Sequence, residues 1–241
     1  MVALSMCGHY AAWGGRYAGR MLSRVLADLL KFHAPLSAVQ REQGGAVTLL
    51  TPGVNVLALN ATFLPANLRG VDIAAVLDWH EGQGIPPLVA TAGPLVGLPG
   101  REVARVRVVQ ADATPWAGGE GVVVEQVSRL HLGPWAEALT RAHGTPGWGE
   151  GLARQLAARL EGDRDFVPLS AYQDGAVVGA LLWHSRAYGG AAHLWGARDA
   201  AVGEALLGTA AGLGGPLWVS RVDEDATGSP GEVIHYSVLT L

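Results

Sequence analysis

Cysteine is almost absent: Cys7 stands alone in 241 residues, so no disulfide can close within the chain. That excludes a small secreted scaffold stapled by disulfides. Lysine is as scarce, with Lys31 the only one, and charged side chains make up 16% of the sequence against roughly 25% in an ordinary globular domain. The arginines are scattered and the net charge is −4. A nucleic-acid binder needs clustered cations to displace counterions from phosphates, so that class is excluded. The longest uncharged window, Gly82 to Gly100, contains Pro86, Pro87, Pro94 and Pro99, which rule it out as a membrane helix. No basic segment leads into an apolar run at the start, so the reading expects no secretory signal and a cytoplasmic protein. The histidines lack His-x-His or His-x3-His spacing and no serine sits in a Gly-x-Ser-x-Gly elbow, so neither a metal site nor a serine hydrolase is expected.

Apolar residues, by contrast, reach 49%, and there are 34 glycines without a fixed period. Such a chain has a large core to bury and many tight turns. Residues 16–33 place Tyr17, Met21, Leu22, Val25, Leu29 and Phe32 on one helical face, ended by Pro35. The stretch "GAVTLLTPGVNVLALN" reads as two strands joined at Thr51-Pro52-Gly53. A helix is expected across "LRGVDIAAVLDWHEGQG", then strands in "IPPLVATA" and in the alternating "REVARVRVVQAD". The Pro/Gly-rich "DATPWAGGEG" at 112–121 marks a boundary between halves.

The second half is sharper. "VVVEQVSRL" is a strand, "GPWAEALTRAHG" a helix with Pro134 in its first turn, and "TPGWGEGLARQLAARLEGD" a second helix with Thr145 as a cap. "FVPLSAYQDGAVVGALLWHS" carries two strands around Asp174-Gly175, a strong hairpin signal. The strand "AAHLW", a helix from Asp199 to Gly212 and the strands "PLWVSRV" and "EVIHYSVLTL" complete a β-α-α-β-β-β-α-β-β order. The fold class is α/β (α+β), a mixed and mostly antiparallel sheet flanked by helices.

That order over 122–241, with "AYQDGAVVGALLW" followed by "RDAAVGEALL", resembles the GNAT superfamily of acyl-CoA-dependent N-acyltransferases. Such proteins enter a helix through an Arg/Gln-x-x-Gly-x-Gly/Ala turn. Here Arg198 takes the first position, Ala201 the middle glycine and Gly203 the last. The resemblance implies acetyl-CoA or another acyl-CoA, its pyrophosphate held by Arg198 and the amides of Ala200, Ala201, Val202 and Gly203, and a small amine as acceptor. The first half is similar to amino-terminal regions of some bacterial members, which implies two units in tandem: 1–118, truncated, and 119–241.

The physics of the turn is plain: a helix start offers unpaired N–H groups and a partial positive charge to an anion. Two departures weaken it. Ala201 adds a methyl in place of glycine, and Asp199 as N-cap satisfies the same amides and repels an anion. Downstream, "DEDATGSPG" leaves no room for the helix that in active members often carries the tyrosine that protonates the leaving thiolate. Glu224, or Asp223 beside it, is the candidate base and Tyr236 the candidate acid, although an alternating run makes Tyr236 a packed strand residue as well. "DEDAT" imitates a haloacid-dehalogenase motif without its downstream acids, an accidental match. Trp135, Trp148, Trp183, Trp195 and Trp218 of the second half read chiefly as core anchors, with a groove for an apolar acyl or aromatic ligand as the alternative for several of them. Two functions stay open: an N-acyltransferase on a small amine, or a catalytically silent relative kept as a binding or homodimerisation module.

Overall fold

A computed structural model describes residues 22–111, 121–222 and 231–240. In the first half, α1 spans Arg24–His33, β1 Val39–Gln43, β2 Ala46–Leu50, β3 Thr62–Phe63, α2 Ile73–Gly82, β4 Leu88–Thr91 and β5 Gly100–Ala111. In the second, β6 spans Val123–Gln126, α3 Leu132–Ala142, α4 Gly149–Arg159, β7 Phe166–Gln173, β8 Ala176–Arg186, β9 Gly189–Ala197, α5 Ala200–Leu213, β10 Leu217–Val222 and β11 Glu232–Leu239. The fold class read from the sequence is correct: a mixed α/β architecture on a mostly antiparallel sheet. No described helix is long and apolar enough to cross a membrane.

Three local readings need correction. The first helix begins at Arg24 because the Ser23 hydroxyl caps the Leu26 amide at 3.4 Å; residues 16–21 lie outside the described residues. The expected second strand over 54–60 is instead a loop with a short 3-10 turn at Leu57–Leu59. There the Asn60 side chain accepts from the Thr51 amide at 2.8 Å and donates to the Val54 carbonyl at 2.6 Å. A side-chain amide thus satisfies backbone groups that a strand ladder would have paired. The partner of β2 is β1, joined through Gly44 and Gly45 at φ 58° and 86°, a two-residue hairpin that only such residues turn easily. The expected cap Thr145 heads a 3-10 turn without a side-chain cap, and α4 starts at Gly149. By contrast the Asp174-Gly175 hairpin forms with both φ positive, 51° and 77°.

The eleven strands of the described residues share one sheet, in the order β1-β2-β3-β4-β11-β5-β10-β9-β8-β7-β6. One pattern occurs twice along it. A hairpin (β1–β2, then β7–β8) leads to an antiparallel strand (β3, β9), a crossover helix (α2, α5) and a strand parallel to the last (β4, β10). The strands that follow exchange sides, since β5 pairs with β10 and β11 with β4. The expected boundary at 112–121 lies almost wholly outside the described residues.

Helices cover both faces. Phe32 and Leu36 join Trp135, Leu139, Leu152 and Leu156 in one cluster, which sets α1, α3 and α4 on the same face. On the opposite face Val202, Leu206 and Ala210 of α5 pack on Leu169, Ala171 and Leu181. The fit is close: a Cβ on Gly179 would lie 2.7 Å from Val202 and 2.9 Å from Leu206, so glycine is what lets α5 lie against β8.

Candidate active site

The parallel pairing of β9 with β10 ends at Ala192↔Val219, although β9 runs on to Ala197 and β10 to Val222. The two strands part there into a fork. A register shift sits at the same place: Leu182 faces Leu194 and His184 faces Ala191, so Ala192 and His193 share the space opposite Trp183. Such a bulge re-aims side chains. His193 consequently meets Phe32 of α1, ring centroids 5.1 Å apart, while Trp195 packs beside Gly203 of α5.

A cavity of about 810 Å³ runs through this fork. At one end stand Asp199, Ala200, Gly203 and Glu204 at the start of α5, with Arg221 of β10; Ser220 follows at the fork; Leu29, His33, Val56, Leu57, Leu139, Leu152 and Tyr236 wall the other end. The two halves of the sequence therefore build the site together.

At the α5 end, Asp199 is the N-cap and its Oδ1 accepts from the Val202 amide at 3.0 Å. Its Oδ2 accepts from Arg198 Nε and Nη2 at 3.1 and 3.0 Å, and Arg198 also donates to Gln173. The Val202 amide first, then Arg198, and least the Ala201 amide hold the Asp199 carboxyl below its ordinary range. The Gly203 amide is spent on the Asp199 carbonyl at 3.0 Å. Of the residues read from the sequence for this turn, Ala200 and Gly203 line the cavity while Arg198, Ala201 and Val202 are not among its lining residues, and Asp199 already holds part of what an anion would use. Ala200, the first residue of α5, lines the cavity.

Of the two catalytic candidates, Glu224 lies outside the described residues. Tyr236 is buried in β11, lines the cavity, and makes no hydrogen bond to a described residue. Burial pushes its hydroxyl above its ordinary value, so it is protonated at any working pH.

Three further groups were not legible in the sequence. The Trp195 indole donates to the Ser220 carbonyl at 2.7 Å, spanning the fork from β9 to β10. His143 Nε2 donates to the Trp195 carbonyl at 2.9 Å, from the end of α3. His193 touches Ser220 Oγ through Nδ1 at 2.8 Å and receives Arg186 Nη2 on Nε2 at 3.3 Å. An arginine can only donate, so Nε2 is the acceptor and Nδ1–H donates to Ser220. His193 therefore cannot draw a proton from Ser220 in this arrangement. Burial, then His33, then Arg186 hold its pKa well below the ordinary value, and it is neutral. The bulge in β9 sets the faces of His193 and Trp195, and no local sequence signal marks it.

Solved structures with a similar fold are distant in sequence. A GCN5-related N-acetyltransferase from Kribbella flavida superimposes with a TM-score of 0.55 at 16% identity, over 94% of this chain and 96% of that one. One from Sphaerobacter thermophilus gives 0.50 at 18%, over 88% and 84%. A conserved protein of unknown function from Staphylococcus epidermidis gives 0.55 at 13%, over 85% and 94%. The fold is that of the GCN5-related N-acetyltransferases. No protein-family model matches the sequence, and no curated protein sequence matches it either.

Proposed function

We propose that the chain is an acyl-CoA-dependent N-acyltransferase acting on a small amine. The observation that carries this reading is the continuous cavity through the β9/β10 fork, from the α5 N-terminus to the buried, unpartnered hydroxyl of Tyr236. When bound, acyl-CoA supplies a thioester carbonyl activated toward amines. Arg198 and the Ala200 amide meet the pyrophosphate, and competition with Asp199 for the Ala201 and Val202 amides weakens that hold. The fork fits an extended amide arm once the Trp195 ring turns aside, which frees the Ser220 carbonyl as an acceptor. The amine lone pair attacks the carbonyl carbon, the C–S bond breaks, and the nitrogen proton passes to water or to Glu224. Tyr236, with a pKa above 10, is a poor full donor to a thiolate of ordinary pKa about 8.5; it stabilises the departing sulfur by a hydrogen bond.

A second reading rests on a specific observation: Asp199 and Trp195 occupy the two places an acyl-CoA would need. It describes a silent relative that pairs with a second copy through a sheet edge, β1 or β6. Following thiol release from acetyl-CoA in the presence of primary amines separates the two. Amine-dependent release supports the transferase, and a rate equal to buffer alone supports the silent module.

A further inference from the structure

The cavity is uneven in charge. Its charged wall residues, Asp199, Glu204 and Arg221, all lie at the exposed α5 and β10 end. Beyond the fork the wall is Leu29, Val56, Leu57, Ala58, Leu139 and Leu152, with no carboxylate and no cation among them. The buried polar groups there include His33, His193 and Tyr236; Asn55 beside Val56 and Thr140 beside Leu139 also line the cavity, the Thr140 hydroxyl being spent on the Ala136 carbonyl at 2.8 Å. Arg186 stands behind His193, its charge balanced by Asp28 at 3.4 Å.

His33 is placed for a particular task. It is 2% exposed, and its Nδ1 lies 2.9 Å from the Leu29 carbonyl, a bond in which only the nitrogen can donate. The proton is therefore on Nδ1, and Nε2 is left as an acceptor. That nitrogen has no hydrogen-bond partner among the described residues, yet it is not among their enclosed orphan atoms, so it meets the cavity that His33 lines. Burial lowers the pKa of His33 to about 4, which keeps this lone pair available at neutral pH.

Building on the acyltransferase reading, we infer that the inner chamber binds the acceptor as a neutral monoamine with an apolar aliphatic or arylalkyl body, its N–H held by His33 Nε2. An ammonium entering such a wall finds no counter-charge and must shed its proton first. That proton is the one whose loss makes the nitrogen nucleophilic. Polyamines fail because each further ammonium would have to be desolvated without a partner. His33 is a residue of the first sequence half, so that half supplies the acceptor's hydrogen bond as well as its apolar wall.

The test uses the full chain and the uncharged fluorescent probe N-phenyl-1-naphthylamine, with no acyl-CoA present. The probe should brighten on binding and be displaced by phenethylamine, whose apparent affinity should rise about tenfold per pH unit up to the amine's own pKa. Spermidine should fail to displace it at a hundredfold higher concentration. His33→Phe should weaken phenethylamine about tenfold while the probe itself still binds, and Leu57→Glu should abolish probe binding. A flat pH profile, effective competition by spermidine, or an unchanged phenethylamine affinity in His33→Phe would each overturn the inference. The wild-type comparison of amines decides even where a variant does not fold. Coenzyme A binding, titrated separately, keeps the two readings apart. Probe binding without coenzyme A binding sinks the transferase and leaves the chamber, and the reverse result sinks the chamber alone.

Discussion

The Trp195 indole and the Ser220 carbonyl, 2.7 Å apart, close the fork that the main chains of β9 and β10 leave open. Ser220 keeps Val108 of β5 opposite it but has no partner on the β9 side, where the parallel ladder ends at Val219, and a half-buried carbonyl without a partner is costly. The indole supplies the missing donor. The same bond places a large ring where a ligand's arm must pass.

Replacing Trp195 with Phe keeps a ring beside Gly203 and removes the donor. Coenzyme A should bind severalfold tighter by calorimetry, since the ring then yields without breaking a hydrogen bond worth about 1 kcal/mol. Weaker binding would mean that Trp195 holds the ligand rather than blocks it.

Asp199→Asn retains a good N-cap and removes the charge. Coenzyme A affinity should rise roughly twofold to fivefold, with little change in melting temperature. An unchanged affinity would place the anion elsewhere.

Tyr236→Phe removes a hydroxyl with no partner, so stability should hold. The turnover rate should fall about tenfold to a hundredfold with KM for the amine nearly constant. A fall in KM-dependent binding alone would assign Tyr236 to the wall.

Stability should depend on pH through the buried histidines. His33 has a folded pKa of about 4 against 6.5 in the unfolded chain. As pH falls below 6.5 the unfolded chain takes the proton first, so stability present at pH 7 is lost progressively toward pH 4. His33 alone removes about 2 kcal/mol between pH 7 and pH 5. Burial also lowers His193, His80 and His184, which act in the same direction. Urea midpoints at the two values measure it, and equal midpoints would mean that His33 is not buried neutral.

Packing of α5 on β8 makes its own demand. Gly179→Ala should cost about 1–3 kcal/mol, because Val202 and Leu206 stand where the methyl would go. Thermal melting measures the loss.

The second half was legible because its signals are local: an Asp-Gly turn with both φ positive, a proline in a first turn, an aspartate before an apolar helix. The first half was less so. Residues 54–60 alternate like a strand, but Asn60 folds back onto Thr51 and Val54, a contact that periodicity cannot show. The Arg198–Gly203 turn was readable as a motif, and Asp199 as its competitor. His33, His193 and Trp195 were not, since a one-residue bulge in β9 and the docking of α1 on the other half decide where they point.

Calorimetric titration of the full chain with coenzyme A, beside Arg198→Glu, tests the central claim most directly. Saturable one-to-one binding in the micromolar range, weakened at least tenfold by the charge reversal, is the predicted result. No heat at millimolar coenzyme A, or equal affinity in the two proteins, would contradict it.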